Sequence, residues 1–140
     1  KPEDETEFQK RAKLLIDQFN AFSPLPGMKV NGELTLGENI GDLGGLSIAY
    51  KAYKISLAGK AAPTIDGLTG DQRFFMGWAQ AWRAKAREEY LRRQVLADPH
   101  AWAEFRANGP LGNIPEFYSA FGVKSGDKLF VAPDKRVKIW

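Results

Sequence analysis

Glu38 and Asp42 are the residues whose types and spacing most directly suggest chemistry. Four apart on a helix, two carboxylates leave from one face, and like charges at that spacing repel by roughly a few tenths of a kcal/mol. A metal ion, or a histidine delivered by another element, would relieve the repulsion. On spacing alone an ordinary reading stands beside it, in which Glu38 caps the helix and Asp42 is solvated. The pair lies in Gly37-Glu38-Asn39-Ile40-Gly41-Asp42-Leu43-Gly44-Gly45. Each glycine inside a helix costs about 1 kcal/mol relative to alanine, which a sequence tolerates where a backbone or bulky group comes close. No Gly-Lys-Ser/Thr ending follows and no dinucleotide fingerprint is present, so the glycines are not a phosphate loop.

His100, the single histidine, follows Asp98-Pro99, and Arg106 lies six residues on. Each has an ordinary reading as well: a partly exposed structural imidazole and an ion-paired surface arginine. Arg83, Lys85, Arg87, Arg92 and Arg93 border the aromatic run Phe74, Trp78 and Trp82. Basic residues beside aromatics can bind single-stranded nucleic acid. Here the aromatics share a four-residue helical spacing and Glu88 and Glu89 interrupt the cations, which describes a core stripe beside a solvated face. No nucleic-acid partner is expected.

Helices must position these groups. Phe8, Ala12, Leu15, Phe19 and Phe22 predict a first helix over Pro2–Phe22, stopped by Ser23-Pro24-Leu25-Pro26-Gly27. Asn31-Gly32 suggests a tight hairpin within 28–34. Thr35-Leu36-Gly37-Glu38 reads as a capping box opening a second helix from about Leu36 to Ala58. Its apolar stripe is Leu36, Ile40, Leu43, Leu46, Tyr50, Tyr53 and Leu57. A third helix is expected from Asp71 to Arg93. Asp98 and Pro99 read as the start of another, with His100 in its first turn, and Pro115 as the start of a short one through Phe121. From Lys128 to Trp140 the chain should be extended, with Val137 and Ile139 alternating with lysines.

The 140 residues suit one domain or a large piece of one, able to bury roughly 70% of the unfolded surface. The chain lacks cysteine, which excludes disulfides, thiolate catalysis and cysteine-based zinc fingers. One histidine excludes a two-histidine metal site made by these residues alone. The longest apolar runs are too short for a membrane span, and the polar opening Lys1-Pro2-Glu3-Asp4-Glu5 carries no signal pattern. Net charge is a modest +3.

The run Asn31-Gly32-Glu33-Leu34-Thr35-Leu36-Gly37-Glu38-Asn39-Ile40-Gly41-Asp42-Leu43-Gly44-Gly45-Leu46 resembles the third-ligand motif of the neprilysin family of zinc metallopeptidases. The resemblance continues in order through Phe74-Phe75, Ala79-Gln80 with Trp82, Asp98-Pro99-His100, Phe105-Arg106, Gly109-Pro110, Asn113, Phe117, Ala120-Phe121 and Trp140. It implies that Glu38 is a zinc ligand, beside two histidines of a His-Glu-x-x-His helix. Asp42 would hydrogen-bond one of those histidines, orienting its ring. His100 would stabilise the oxyanion of the tetrahedral intermediate, and Arg106 would hydrogen-bond a substrate backbone carbonyl. Trp82 would wall the pocket for the side chain just after the scissile bond. The implied reaction is hydrolysis of peptide substrates, with zinc polarising the carbonyl and activating water and the motif glutamate as general base.

The sequence departs from the family pattern in having no His-Glu-x-x-His. The resemblance puts that motif roughly 60 residues before the third ligand, about 20 residues upstream of Lys1. Residues 1–140 are therefore expected to be a mainly α, C-terminal helical part of a thermolysin-like zincin catalytic domain, partnered by the upstream half of that domain. Cysteines common in animal members are missing, including at Arg83 after Trp82 and near Val137, which points to a bacterial-type member. By itself the segment should bind zinc weakly, lack peptidase activity and expose faces of its second and third helices, favouring self-association. An extracytoplasmic location is expected. The alternative from another class is a non-catalytic interaction module that keeps the peptidase fold.

Overall fold

The spacing from Phe8 to Phe22 produces helix α1, Pro2–Asn20, which buries Ala12, Leu15 and Phe19. In this computed structural model residues 1–139 are described, so Trp140, the last residue of the resemblance, lies outside the described residues. Five more helices follow: α2 Leu36–Ser56, α3 Gly70–Ala81, α4 Glu88–Ala97, α5 Ala103–Asn108 and α6 Pro115–Phe121, with 3-10 turns at Leu111–Asn113 and Pro133–Lys135. Among the described residues there is no strand, only isolated bridges at Leu25–Met28 and Ile65–Leu68. One apolar core joins Leu15 and Phe19 of α1, Leu43 and Tyr50 of α2, Phe75 of α3 and Phe117 of α6. Burying Phe19 or Phe75 fully contributes about 2–3 kcal/mol each.

Several local expectations are corrected. Asn31-Gly32 makes no hairpin, because neither residue takes the positive φ that such a turn requires. Instead the Asn31 side-chain oxygen accepts from the backbone N–H of Glu33 and Leu34 and bends the chain into α2. Gly32 is needed for a different reason: a Cβ there would collide with the Ile16 carbonyl of α1. Its N–H donates to Asn20 at 2.7 Å. The capping box at Thr35 is absent too. The Thr35 hydroxyl donates to the Asn31 carbonyl and accepts from the buried Asn39 amide, and Glu38 turns away to charged partners. The Thr35 N–H that a capping box would offer to Glu38 donates instead to the Asn31 carbonyl.

The single third helix expected over 71–93 is two. α3 opens on a capping box, with Thr69 accepting from Gln72 N–H and Gln72 accepting from Thr69 N–H. It ends at Ala81, and residues 82–87 run as a non-helical segment before α4. The apolar period stops at Trp82, so nothing beyond it favours continuing the helix.

Asp98 does not start a helix either. α5 begins at Ala103, and His100 sits in the loop before it. Pro115 does open α6, as expected. In the tail Val137 and Ile139 are buried, as the alternation implied, but the 3-10 turn at Pro133–Lys135 breaks the extended course expected from Lys128. The Arg11 guanidinium donates to the carbonyls of Lys138 and Ile139, Gln18 donates to that of Lys135, and Val137 N–H donates to Asn113. These bonds tie the chain's end to α1 and to the turn after α5.

On the outer side of α2, Ile48 and Ile55 are 68% and 69% exposed. Seven residues apart, they share one helical face, and Met76 of α3 is also exposed. These are the uncovered apolar positions expected on the second and third helices.

Candidate active site

One turn of α2 carries Glu38 and Asp42, and α5 brings Arg106 against both. Arg106 Nε donates to Asp42 Oδ2 at 2.7 Å and Nη2 to Asp42 Oδ1 at 2.8 Å, a two-pronged pair. The same Nη2 donates to Glu38 Oε2 at 3.2 Å. The repulsion inherent in a four-residue carboxylate spacing is thus relieved by a guanidinium. Asp42 is nearly buried and Arg106 is 15% exposed, so the pair is shielded from solvent. Its hydrogen bond to Asp42 is the leading cause that pushes the Arg106 guanidinium further above its usual range. Arg106 stays charged.

The Arg106 guanidinium also lies 4.3 Å from the centre of the Trp82 ring, a cation–π contact. Trp82 leaves α3 at its last turn and packs edge-on against Trp78. Trp78 in turn donates its indole N–H to the Ala107 carbonyl at 3.0 Å, pinning α5 beside α3. Behind α5, a Cβ on Gly109 would meet the Phe19 ring at 2.5 Å, so glycine lets α5 close onto α1.

His100 completes the group. Its Nε2 is 3.1 Å from Glu38 Oε2 and its Nδ1 is 2.7 Å from Asp98 Oδ1. Asp98 also accepts the His100 backbone N–H at 2.8 Å, so one carboxylate fixes both the loop and the ring. Gln94 of α4 donates to the His100 carbonyl. All five residues singled out from the sequence, Glu38, Asp42, Trp82, His100 and Arg106, therefore converge. Asp98 is the one sequence reasoning missed. The signal is Asp-x-His, where a carboxylate reaches the backbone N–H two residues on, but Asp98-Pro99 carries the residue types of a helix start as well.

The His100 N–H, then its ring, hold the Asp98 carboxyl below its ordinary value. A depressed carboxylate contributes order that is present above its unfolded pKa and lost as pH falls through the folded one. Carbon-detected NMR titration is expected to place the Asp98 midpoint below the ordinary aspartate value of about 3.9. A midpoint at or above that would contradict the arrangement.

Among the described residues no three histidine, cysteine or carboxylate side chains gather into a metal site. The donor chemistry nevertheless suits a shared one. Glu38 is part-exposed and makes both of its contacts through Oε2, which leaves Oε1 as a hard oxygen donor of the kind zinc accepts. These residues fit a metal as one contributor, not as a complete cage.

The family profile described as peptidase family M13 matches residues 1–137, and the chain belongs to that family. Its helices superpose on Mycobacterium tuberculosis zinc metalloprotease Zmp1 in complex with an inhibitor. The TM-score is 0.94 at 53% identity, over 96% of this chain and 22% of that one. The chain is also similar to the neutral endopeptidase of Lactococcus lactis subsp. lactis, 38% identical over 139 residues, 99% of this chain and 20% of that protein. Neprilysin-1 of Caenorhabditis elegans is 39% identical over 142 residues, covering 96% of this chain and 18% of that protein. The chain thus spans about a fifth of the length of the curated relatives it matches. The resemblance read from the motifs is borne out, as is a mainly helical fold matching peptidases of this family. The mycobacterial and lactococcal neighbours are bacterial, in line with a bacterial-type member.

Proposed function

We propose that residues 1–140 form the C-terminal helical part of the catalytic domain of a zinc metalloendopeptidase. The observation that carries this reading is the convergence of Glu38, Asp42, His100 and Arg106 in one connected set of contacts, Arg106 on both carboxylates and His100 on Glu38. Glu38 would hold zinc, and the two histidines it needs come from outside these residues, because His100 is the only one present. Bound zinc supplies Lewis acidity towards the scissile carbonyl and a more acidic water.

The chain's own residues do the rest. His100, oriented by Asp98, holds Nε2 3.1 Å from Glu38 Oε2 and would turn that N–H to the carbonyl oxygen on which negative charge develops beside the metal ligand. Arg106 spends Nε and Nη2 on the carboxylates, which leaves the Nη1 amino group for a peptide carbonyl. Asp42 would orient a ligand histidine through a carboxylate whose two oxygens Arg106 also engages. Trp82 offers an aromatic wall for the residue after the scissile bond.

Hydrolysis of a quenched peptide library by the full-length protein, lost on chelation and restored by zinc, is expected. A folded, zinc-loaded full-length protein that cleaves nothing would overturn the reading. No helix among the described residues is long and apolar enough to cross a membrane. The protein acts extracytoplasmically on this reading, and fractionation that recovers it in the cytoplasm would contradict that part. The Ile48–Ile55 face packs on the remainder of the same domain. Prepared alone, the 140-residue chain should therefore self-associate. Sedimentation showing a monomer at all concentrations would contradict it.

A further inference from the structure

Resting on the peptidase reading, we propose that the segment between α3 and α4 selects substrates. In this proposal Arg83 and Lys85 recognise a carboxylate on the C-terminal side of the scissile bond. The segment starts at Trp82, the residue stacked on Arg106, so it leaves directly from the wall of the candidate site. Arg83, Lys85 and Arg87 follow in non-helical backbone with all three side chains exposed, while Ala86 between them is half-buried. Adjacent Cα atoms are about 3.8 Å apart, so the Lys85 Cα lies at most about 11 Å from that of Trp82.

Charge is concentrated here. From Arg83 to Arg93 there are five basic and two acidic residues, an excess equal to the +3 of the whole chain. Arg92 is taken up by Glu88. Among the described residues Arg83, Lys85 and Arg87 form no ion pair, so their field is directed outward. The backbone N–H groups of Ala84, Lys85 and Ala86 also find no backbone partner among the described residues. A cationic strip with free donors, following an aromatic wall, suits an anionic stretch of peptide. It does not suit an apolar one, whose contact would desolvate the cations without compensation. Two sources supply the carboxylate: an acidic side chain, or the peptide's own C-terminus.

The test uses the full-length enzyme and quenched peptides that differ only in Glu, Gln or Lys at the second or third residue after the cleaved bond. One set is amidated and one has a free C-terminus. In the amidated set, kcat/KM is expected to be about 10-fold higher for Glu than for Lys, with the ratio shrinking as salt rises. Preference for the free-acid set alone would assign the terminal carboxylate instead. The Arg83→Gln/Lys85→Gln double variant should bring the ratio within about 2-fold of unity, and Arg83→Glu/Lys85→Glu should invert it. Because a ratio is read, a general loss of activity cancels, and melting temperatures check folding. Equal rates in both wild-type sets, or a ratio that the variants do not move, would overturn the inference while leaving the peptidase reading intact. No cleavage of any peptide by the wild type would instead overturn that reading, and the inference with it.

Discussion

Replacing His100 with alanine in the full-length enzyme is expected to lower kcat by about 10²- to 10³-fold, with KM changing little. The size is that of removing one preorganised donor to an oxyanion. A group aimed at charge that exists only in the transition state contributes little to substrate binding, which is why the loss should fall on kcat. Asp98 holds both the ring and the backbone N–H of the same residue, so the ring keeps its orientation while Nε2 exchanges its contact with Glu38 Oε2 for the developing oxyanion. Asp98→Asn should give a smaller loss of the same kind, because the ring survives with a weaker anchor. Steady-state kinetics check both. A raised KM with unchanged kcat would make His100 a ground-state contact and contradict its assignment.

Arg106→Ala carries the largest expected effect on stability, a loss of about 2–4 kcal/mol in chemical denaturation. Two terms combine: a nearly buried Asp42 left without its counter-charge, and renewed repulsion between Asp42 and Glu38. The lost stacking on Trp82 adds to them. Arg106→Lys should recover only part, since an ammonium cannot reproduce the two-pronged geometry on Asp42. Pairing Arg106→Ala with Asp42→Asn should cost less than the sum of the single changes, because the neutral amide removes the charge that needed a partner. Strict additivity would show that the ion pair is not the stabilising unit.

The sequence made the site more legible than the helices that build it. Glu38, Asp42, Trp82, His100 and Arg106 are legible through the motifs that carry the resemblance, whereas as isolated residues each has an ordinary structural reading. Apolar periodicity placed α1 and α2 well, because their core faces repeat over several turns. It overran at Trp82, where the spacing fits a helix but the side chain is used outside one, stacked on an arginine distant in sequence. Thr35 and Glu38 had the right types for a capping box. Only the arrival of α5 shows that Glu38 is engaged elsewhere. Asn31-Gly32 likewise had hairpin chemistry, yet the glycine serves close approach to α1. In each case a tertiary partner decided between two local options that the sequence allowed equally.

The most direct test of the central claim is to measure zinc content and peptide hydrolysis side by side in the full-length wild type and in Glu38→Ala. Expected is one zinc per active site in the wild type, and loss of both tight zinc binding and hydrolysis in the variant, with the fold retained. Full zinc occupancy and undiminished hydrolysis in Glu38→Ala would show that this carboxylate is not a metal ligand. The assignment of the site would fall with it.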